Sequence, residues 1–254
     1  VIPGLSPATQ YSYSIIPFAW DGINPETYNY HTTPVIPSAS ATTNGTGPAT
    51  YTWIGPDNGD WNTAANWNPS RTTPAATDIL QFNDGTTKTV TGVIAQTIGQ
   101  LLLSNNTTIN FQSSSAATLT ISGVAGTDLS VPSGCSLNLN AVNAITIAIG
   151  TTATGEVAGN MTFSSTASTA HRLTAADAGS LVFSAGSVFK AGTFFSGNPF
   201  GTTSLGSVIF TGGSTFIQQA GSNPFGASQP NSVVVFQPGS LFKVIANLTP
   251  SFSG

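Results

Sequence analysis

The chain has 254 residues, a formal net charge of −4 and only 6% charged residues, against roughly a quarter in an ordinary soluble protein. Five basic residues over that length cannot neutralise a run of phosphates, which excludes nucleic acid as a partner. A hydrophobic content of 39% with 27 glycines, and Ser, Thr and Asn at the polar positions, describes a folded chain of strands and tight turns with no helical stripe.

The single cysteine, Cys135, rules out an intrachain disulfide and a Cys-based zinc cluster within this chain. Its flanks, Ser133 to Leu137, predict a small buried residue where a turn runs into a strand. No apolar run reaches the length of a membrane span, and the N-terminus is not of the signal-peptide type. The composition points to an exported protein, with any export signal expected upstream of Val1 in a precursor.

Residues 1–37 are rich in aromatics and proline, and Leu5, Pro7, Thr9, Tyr11 and Tyr13 alternate along them. The pattern Leu-x-Pro-x-Thr-x-Tyr resembles the closing strands of a fibronectin type III domain. That resemblance implies a corner tyrosine at Tyr11 and a last strand within Tyr28 to Pro37. A sandwich of that kind needs about seven strands, so the segment is expected to be the end of a domain in a longer multidomain protein. Residues 38–50, made of Ser, Ala, Thr, Asn, Gly and Pro, read as a flexible linker.

Residues 51–87 open a second module with Thr52-Trp53, a Gly-rich turn, Trp61, a short spacer, Asn66-Trp67, and then Pro74 and Asp78 leading into a strand. The segment resembles the Trp-rich opening of bacterial surface and autotransporter-type β-helix proteins. The resemblance implies that Trp53, Trp61 and Trp67 seal the exposed apolar end of a stack of coils.

From residue 88 to 254 short strands follow one another at solenoid spacing. They are predicted over Lys88–Val93, Ile98–Ser104, Thr107–Phe111, Thr118–Ser122, Asp128–Val131, Ser136–Asn140, Ala144–Ile149, Asn160–Ser164 and Ser180–Ser184. Three near-copies follow. Phe183, Phe210 and Phe236 stand 27 and 26 residues apart, and Phe189, Phe216 and Phe242 repeat the same steps. The corner Asn-Pro-Phe-Gly returns at Asn198–Gly201 and Asn223–Gly226. Such copying argues for a right-handed, single-stranded parallel β-helix in which each Phe sits above the previous coil's Phe, with about 24 residues per coil and around eight coils. The coils are expected to continue beyond Gly254.

Few residues are available for chemistry. His31 reads as a surface strand residue and His171 as a turn residue rather than a general base. Asp57 and Asp60 flank Asn58-Gly59 and are weak calcium candidates, since they lack the full alternating set of an EF-hand. Asp78 is expected to bond backbone amides at the start of a strand. Glu156 and Asp177, 21 residues apart, form the best acid pair a solenoid lyase or glycosidase could use. No phosphate loop, metal set or cofactor motif is present.

The expected function is that of a non-catalytic structural and adhesion-type stalk in a large secreted or cell-surface bacterial protein. Its expected partners are other domains of the same polypeptide, with cell-surface glycans and the export or anchoring machinery, of the type IX kind by resemblance, as further ones. A polysaccharide-binding or polysaccharide-cleaving β-helix and a self-assembling filament or sheath subunit are the alternatives.

Overall fold

The computed structural model describes residues 9–14, 18–19, 22–24, 29–30, 38–42, 47–222, 224–226 and 232–245. The chain divides into two units, Val1–Gly47 and Pro48–Gly254.

In the first unit Gln10–Ser14 pairs antiparallel with Ser38–Thr42, and Phe18–Ala19 pairs antiparallel with Asn29–Tyr30. Among the described residues the first unit shows these two ribbons and not the two packed sheets of a sandwich. The partner of the Tyr11 strand is Ser38–Thr42, a stretch that composition alone assigns to a linker. Alternating Ser and Ala carry no hydrophobic signal, yet their backbone groups satisfy a ladder as well as any others. His31 and the expected last strand up to Pro37 lie outside the described residues.

The second unit is a parallel β-solenoid of about seven turns. Each full coil has three sides. The first face stacks Thr50–Trp53, Ile79–Phe82, Gln100–Leu103, Leu129–Val131, Gly155–Val157, Leu181–Phe183, Val208–Phe210 and Val234–Phe236 in parallel. The second face stacks Gly59–Asp60, Thr87–Thr91, Thr108–Phe111, Ser136–Leu139, Asn160–Phe163, Val188–Ala191, Thr215–Gln218 and Leu241–Val244. A shorter third face holds Gln96–Ile98, Ala117–Ile121, Ile145–Ile149 and Arg172–Ala175.

Along the first face the paired residues step by 29, 21, 28, 26, 26, 27 and 26 positions. Coils are therefore mostly longer than the expected 24 residues and fewer than eight. The additional residues lie in the corners and on the third side. In the last coils that side is irregular and carries the Asn198–Gly201 corner, whose Phe200 turns into the core at 2% exposure.

Alternation decides which side chains are inside. In Ile145–Ile149 the three isoleucines are buried and Thr146 and Ala148 face outward, and Leu137, Leu139, Met161, Phe163, Phe183 and Phe210 follow the same rule. Where sequence suggests one strand over Ile98–Ser104, the chain turns a corner at Gly99. The amides of Gly99 and Gln100 both donate to the carbonyl of Asp78, at 2.8 and 3.1 Å. A Cβ at Gly99 would stand 2.6 Å from the Thr77 carbonyl oxygen, so only glycine fits this bend.

Candidate functional site

The two phenylalanine columns are in register. Phe183 pairs with Phe210 and Phe210 with Phe236 on the first face, while Phe189, Phe216 and Phe242 align on the second. The Phe183 and Phe210 rings stack with centroids 4.3 Å apart and planes 3° from parallel, the Phe210 and Phe236 rings at 4.9 Å and 20°. This is the strand spacing of a parallel sheet expressed in side chains. Each such contact adds about 0.5–1.5 kcal/mol beyond the area it buries. The columns fill the core and present no group to solvent for chemistry.

At the other end the three tryptophans form one cluster. Trp67 meets Trp53 edge-on at 5.0 Å and Trp61 at 5.2 Å, and the rings rest on Phe82 and Phe111 of the following coils. Trp67 Nε1 donates to the Trp61 carbonyl at 3.0 Å, and Trp61 Nε1 donates to Gln96 Oε1 at 3.1 Å. Trp67–Asn68 also runs antiparallel along Thr50–Trp53, so it covers the outer edge of the first face.

Below the cluster lies an ion pair of which sequence reading weighs only one member. Arg71 Nε donates to Asp78 Oδ2 at 2.7 Å, with both side chains 2% exposed. Asp78 also accepts the Ala75 amide at 2.9 Å. The signal in the sequence is the arginine itself, one of five basic residues, placed seven residues ahead of an aspartate at a strand start.

Nine acidic residues occur in the chain; Asp21 and Glu26 lie outside the described residues, and each of the other seven accepts a hydrogen bond. Asp57 Oδ1 takes the Thr89 amide of the next coil at 2.7 Å. That bond holds its carboxyl below the usual aspartate range. Asp60 Oδ1 takes the Asn62 amide at 2.8 Å, and Asp84 takes the Thr86 amide and hydroxyl and faces Lys88. Asp57 and Asp60 are thus engaged with separate backbone amides. Among the described residues no group of three or more His, Cys, Asp or Glu side chains converges to hold a metal ion.

Asp128, isolated in sequence, is buried and receives the Val124 amide at 2.8 Å, the Thr154 amide at 2.8 Å and Gln100 Nε2 at 3.3 Å. It staples three successive coils. Glu156 Oε1 accepts the Ser184 hydroxyl at 2.7 Å, whereas Asp177 Oδ2 accepts the Thr152 amide at 2.6 Å. The acid pair suggested by coil spacing is spent on different partners. Two shallow depressions, of about 360 and 200 Å³, flank Glu156 on the first face; Thr127, Thr154, Ser180 and Val182 help line one, and Ser130, Pro132 and Ala158 the other.

His171, expected in a turn, is fully buried. Nδ1 accepts the Ile145 amide at 3.1 Å, and Nε2 lies 3.1 Å from the Ser164 carbonyl and 3.2 Å from that of Ala141. The two carbonyls require a proton on Nε2 and the amide requires a lone pair on Nδ1, so the ring is neutral. Burial lowers its pKa from the ordinary value of 6.5 despite those carbonyls. A folded-state pKa below the unfolded one means that the unfolded chain takes up the proton first as pH falls. The stability from this group is complete above about pH 6.5 and is lost progressively below it. The urea midpoint is expected to fall between about pH 7 and pH 5 by more in the native chain than in His171→Asn. Parallel pH profiles of the two would contradict this role.

No family model matches the chain, and neither a curated protein nor a solved structure is significantly similar to it. What the site can do is therefore read from its geometry. Among the described residues, no helix is long and apolar enough to cross a membrane.

Proposed function

We propose that this chain is a non-catalytic structural and adhesion-type module of a large secreted or cell-surface bacterial protein, in which a right-handed solenoid forms a stalk behind a fibronectin-like domain. One observation carries the reading: the described carboxylates and the buried histidine are committed to hydrogen bonds that close turns or join neighbouring coils. A hydrolase or lyase needs an acid and a base free to face one substrate. A stalk needs its polar groups used internally and its outer faces regular, as the outward Asn138 to Asn110 bond at 3.0 Å illustrates.

The depressions beside Glu156 favour a second reading, a polysaccharide-cleaving coil face. Incubation of the full chain with a panel of neutral and acidic glycans, followed by product analysis, separates the two. The expected result is no released oligosaccharide. Turnover that disappears in Glu156→Gln or Asp177→Asn would replace the first reading with the second.

A further inference from the structure

Many turns of the solenoid are closed by the amide of the fourth residue donating to the carbonyl of the first, with the third residue at positive φ. That third residue is Asn58, Asn106, Gly134, Gly179, Gly186, Gly206, Gly213 or Gly239 in eight of them, the residue types that adopt this conformation at least cost. Two turns depart from the rule. At Thr152, φ is 67°, but the strained amide is held at 2.6 Å by the Asp177 carboxylate. At Phe194, in the turn closed by the Phe195 amide on the Gly192 carbonyl, φ is 59°. Here no such bond compensates, and the ring is 55% exposed.

A bulky aromatic is thus held in a glycine conformation and turned out to water. The turn ties the coil to its neighbour and sets the adjacent Phe195 into the core at 3% exposure, but the outward Phe194 ring contributes nothing to that packing, and strain of this kind concentrates where a ligand is bound. The surroundings indicate what the ring meets. The Phe194 carbonyl accepts the Thr169 amide at 3.0 Å, and Thr169 Oγ1 donates to the Val142 carbonyl at 3.0 Å. Val142, itself 57% exposed, therefore lies on the far side of the Thr166–Thr169 segment, about 10 Å along the stack at the usual strand spacing. Between them Thr166, Ala167 and Ser168 are exposed. Beside Val142 opens a depression of about 150 Å³ lined by Gln112, Asn140 and Thr166, with the Asn140 Oδ1 atom buried and unpartnered. None of these residues is charged.

We propose that this corner binds a neutral polysaccharide, with Phe194 as the platform on which a sugar ring stacks and the amides and hydroxyls towards Val142 receiving the neighbouring sugars. Aromatic faces pair with the apolar face of a sugar, and uncharged amides and hydroxyls match its hydroxyl groups. Two exposed apolar side chains separated by the hydroxyl side chains of Thr166 and Ser168 lack the continuous apolar centre of a protein interface. The inference deepens the adhesion reading by naming the surface and the ligand class, and it rests on that reading.

The test uses the full chain and insoluble cellulose, β-1,3-glucan, xylan and mannan in sedimentation binding assays, together with thermal unfolding. Phe194→Gly is expected to weaken binding about tenfold while holding or raising the thermal midpoint, because glycine relieves the strained φ. Phe194→Trp is expected to retain binding. The inference is overturned if the native chain binds none of the four polymers, if Phe194→Gly binds as the native chain does or melts earlier, or if Phe194→Trp loses binding. Release of soluble sugars by the native chain would instead count against the adhesion reading, whatever happens at Phe194.

Discussion

Arg71→Ala is expected to destabilise the N-terminal coils by about 3–5 kcal/mol, the cost of leaving one charge of a buried pair uncompensated. Asp78 would keep only the Ala75 amide at 2.9 Å as a partner for its Oδ2, in a place where it is 1% exposed. The loss extends beyond the ion pair. The guanidinium stands 5.8 Å from the ring centroids of both Tyr51 and Trp67, and Arg71 Nη1 donates at 3.3 Å to the Gln96 Oε1 that also receives Trp61. Arg71→Lys retains the charge but not the planar fork, and is expected to recover only part of the loss. Arg71→Met with Asp78→Leu is expected to lie well above either single alanine variant, because two buried charges leave together. Urea unfolding followed by tryptophan fluorescence reports on this region, since the guanidinium faces Trp67, which packs against Trp53 and Trp61, three of the four tryptophans in the chain. A loss below about 1 kcal/mol in Arg71→Ala would show that water or rearrangement satisfies Asp78.

Much of the solenoid can be read from the sequence, because its inward positions are apolar and spaced by two. Strands such as Ala117–Ile121 and Ser136–Leu139 lie within a residue of where alternation places them. Gly155–Val157 and Arg172–Ala175 escape that reading. Their inward residues are as small as Gly155 and Ala175, so the alternation has too little contrast. The polar network is harder to read for a different reason. His171 bonds to residues 26 and 30 positions away, and Asp128 to one 28 away and one 26 away, separations that equal one coil only once coil length is known. An assumed coil of 24 residues displaces each partner by several positions. The same error made Glu156 and Asp177, 21 apart, resemble neighbours, although their bonds go to Ser184 and Thr152.

The tryptophan cluster packs on the first coils of the solenoid through Phe82 and Phe111, and Trp67→Ala tests what it contributes. Removing a fully buried tryptophan costs about 3–5 kcal/mol through lost burial and the cavity left behind, and Trp67 is 2% exposed. Here the cavity opens onto Trp53, Trp61 and Phe82, each with its ring centroid within 5.6 Å of the Trp67 ring. The Trp61 carbonyl also loses its donor. Trp67→Phe keeps most of the packing without the N–H and is expected to lose less than half as much. A second consequence follows from topology. Trp67–Asn68 is the antiparallel strand that covers Thr50–Trp53, and a frayed cover leaves the backbone groups of a sheet edge free to pair with another molecule. Trp67→Ala is therefore expected to unfold earlier and to self-associate as concentration rises in sedimentation velocity, with Trp67→Phe remaining close to the native chain in both. A Trp67→Ala variant that melts earlier but does not associate would mean that the strand pairing holds without its tryptophan. The cluster would then be a hydrophobic plug, with the sheet edge guarded by backbone hydrogen bonds alone.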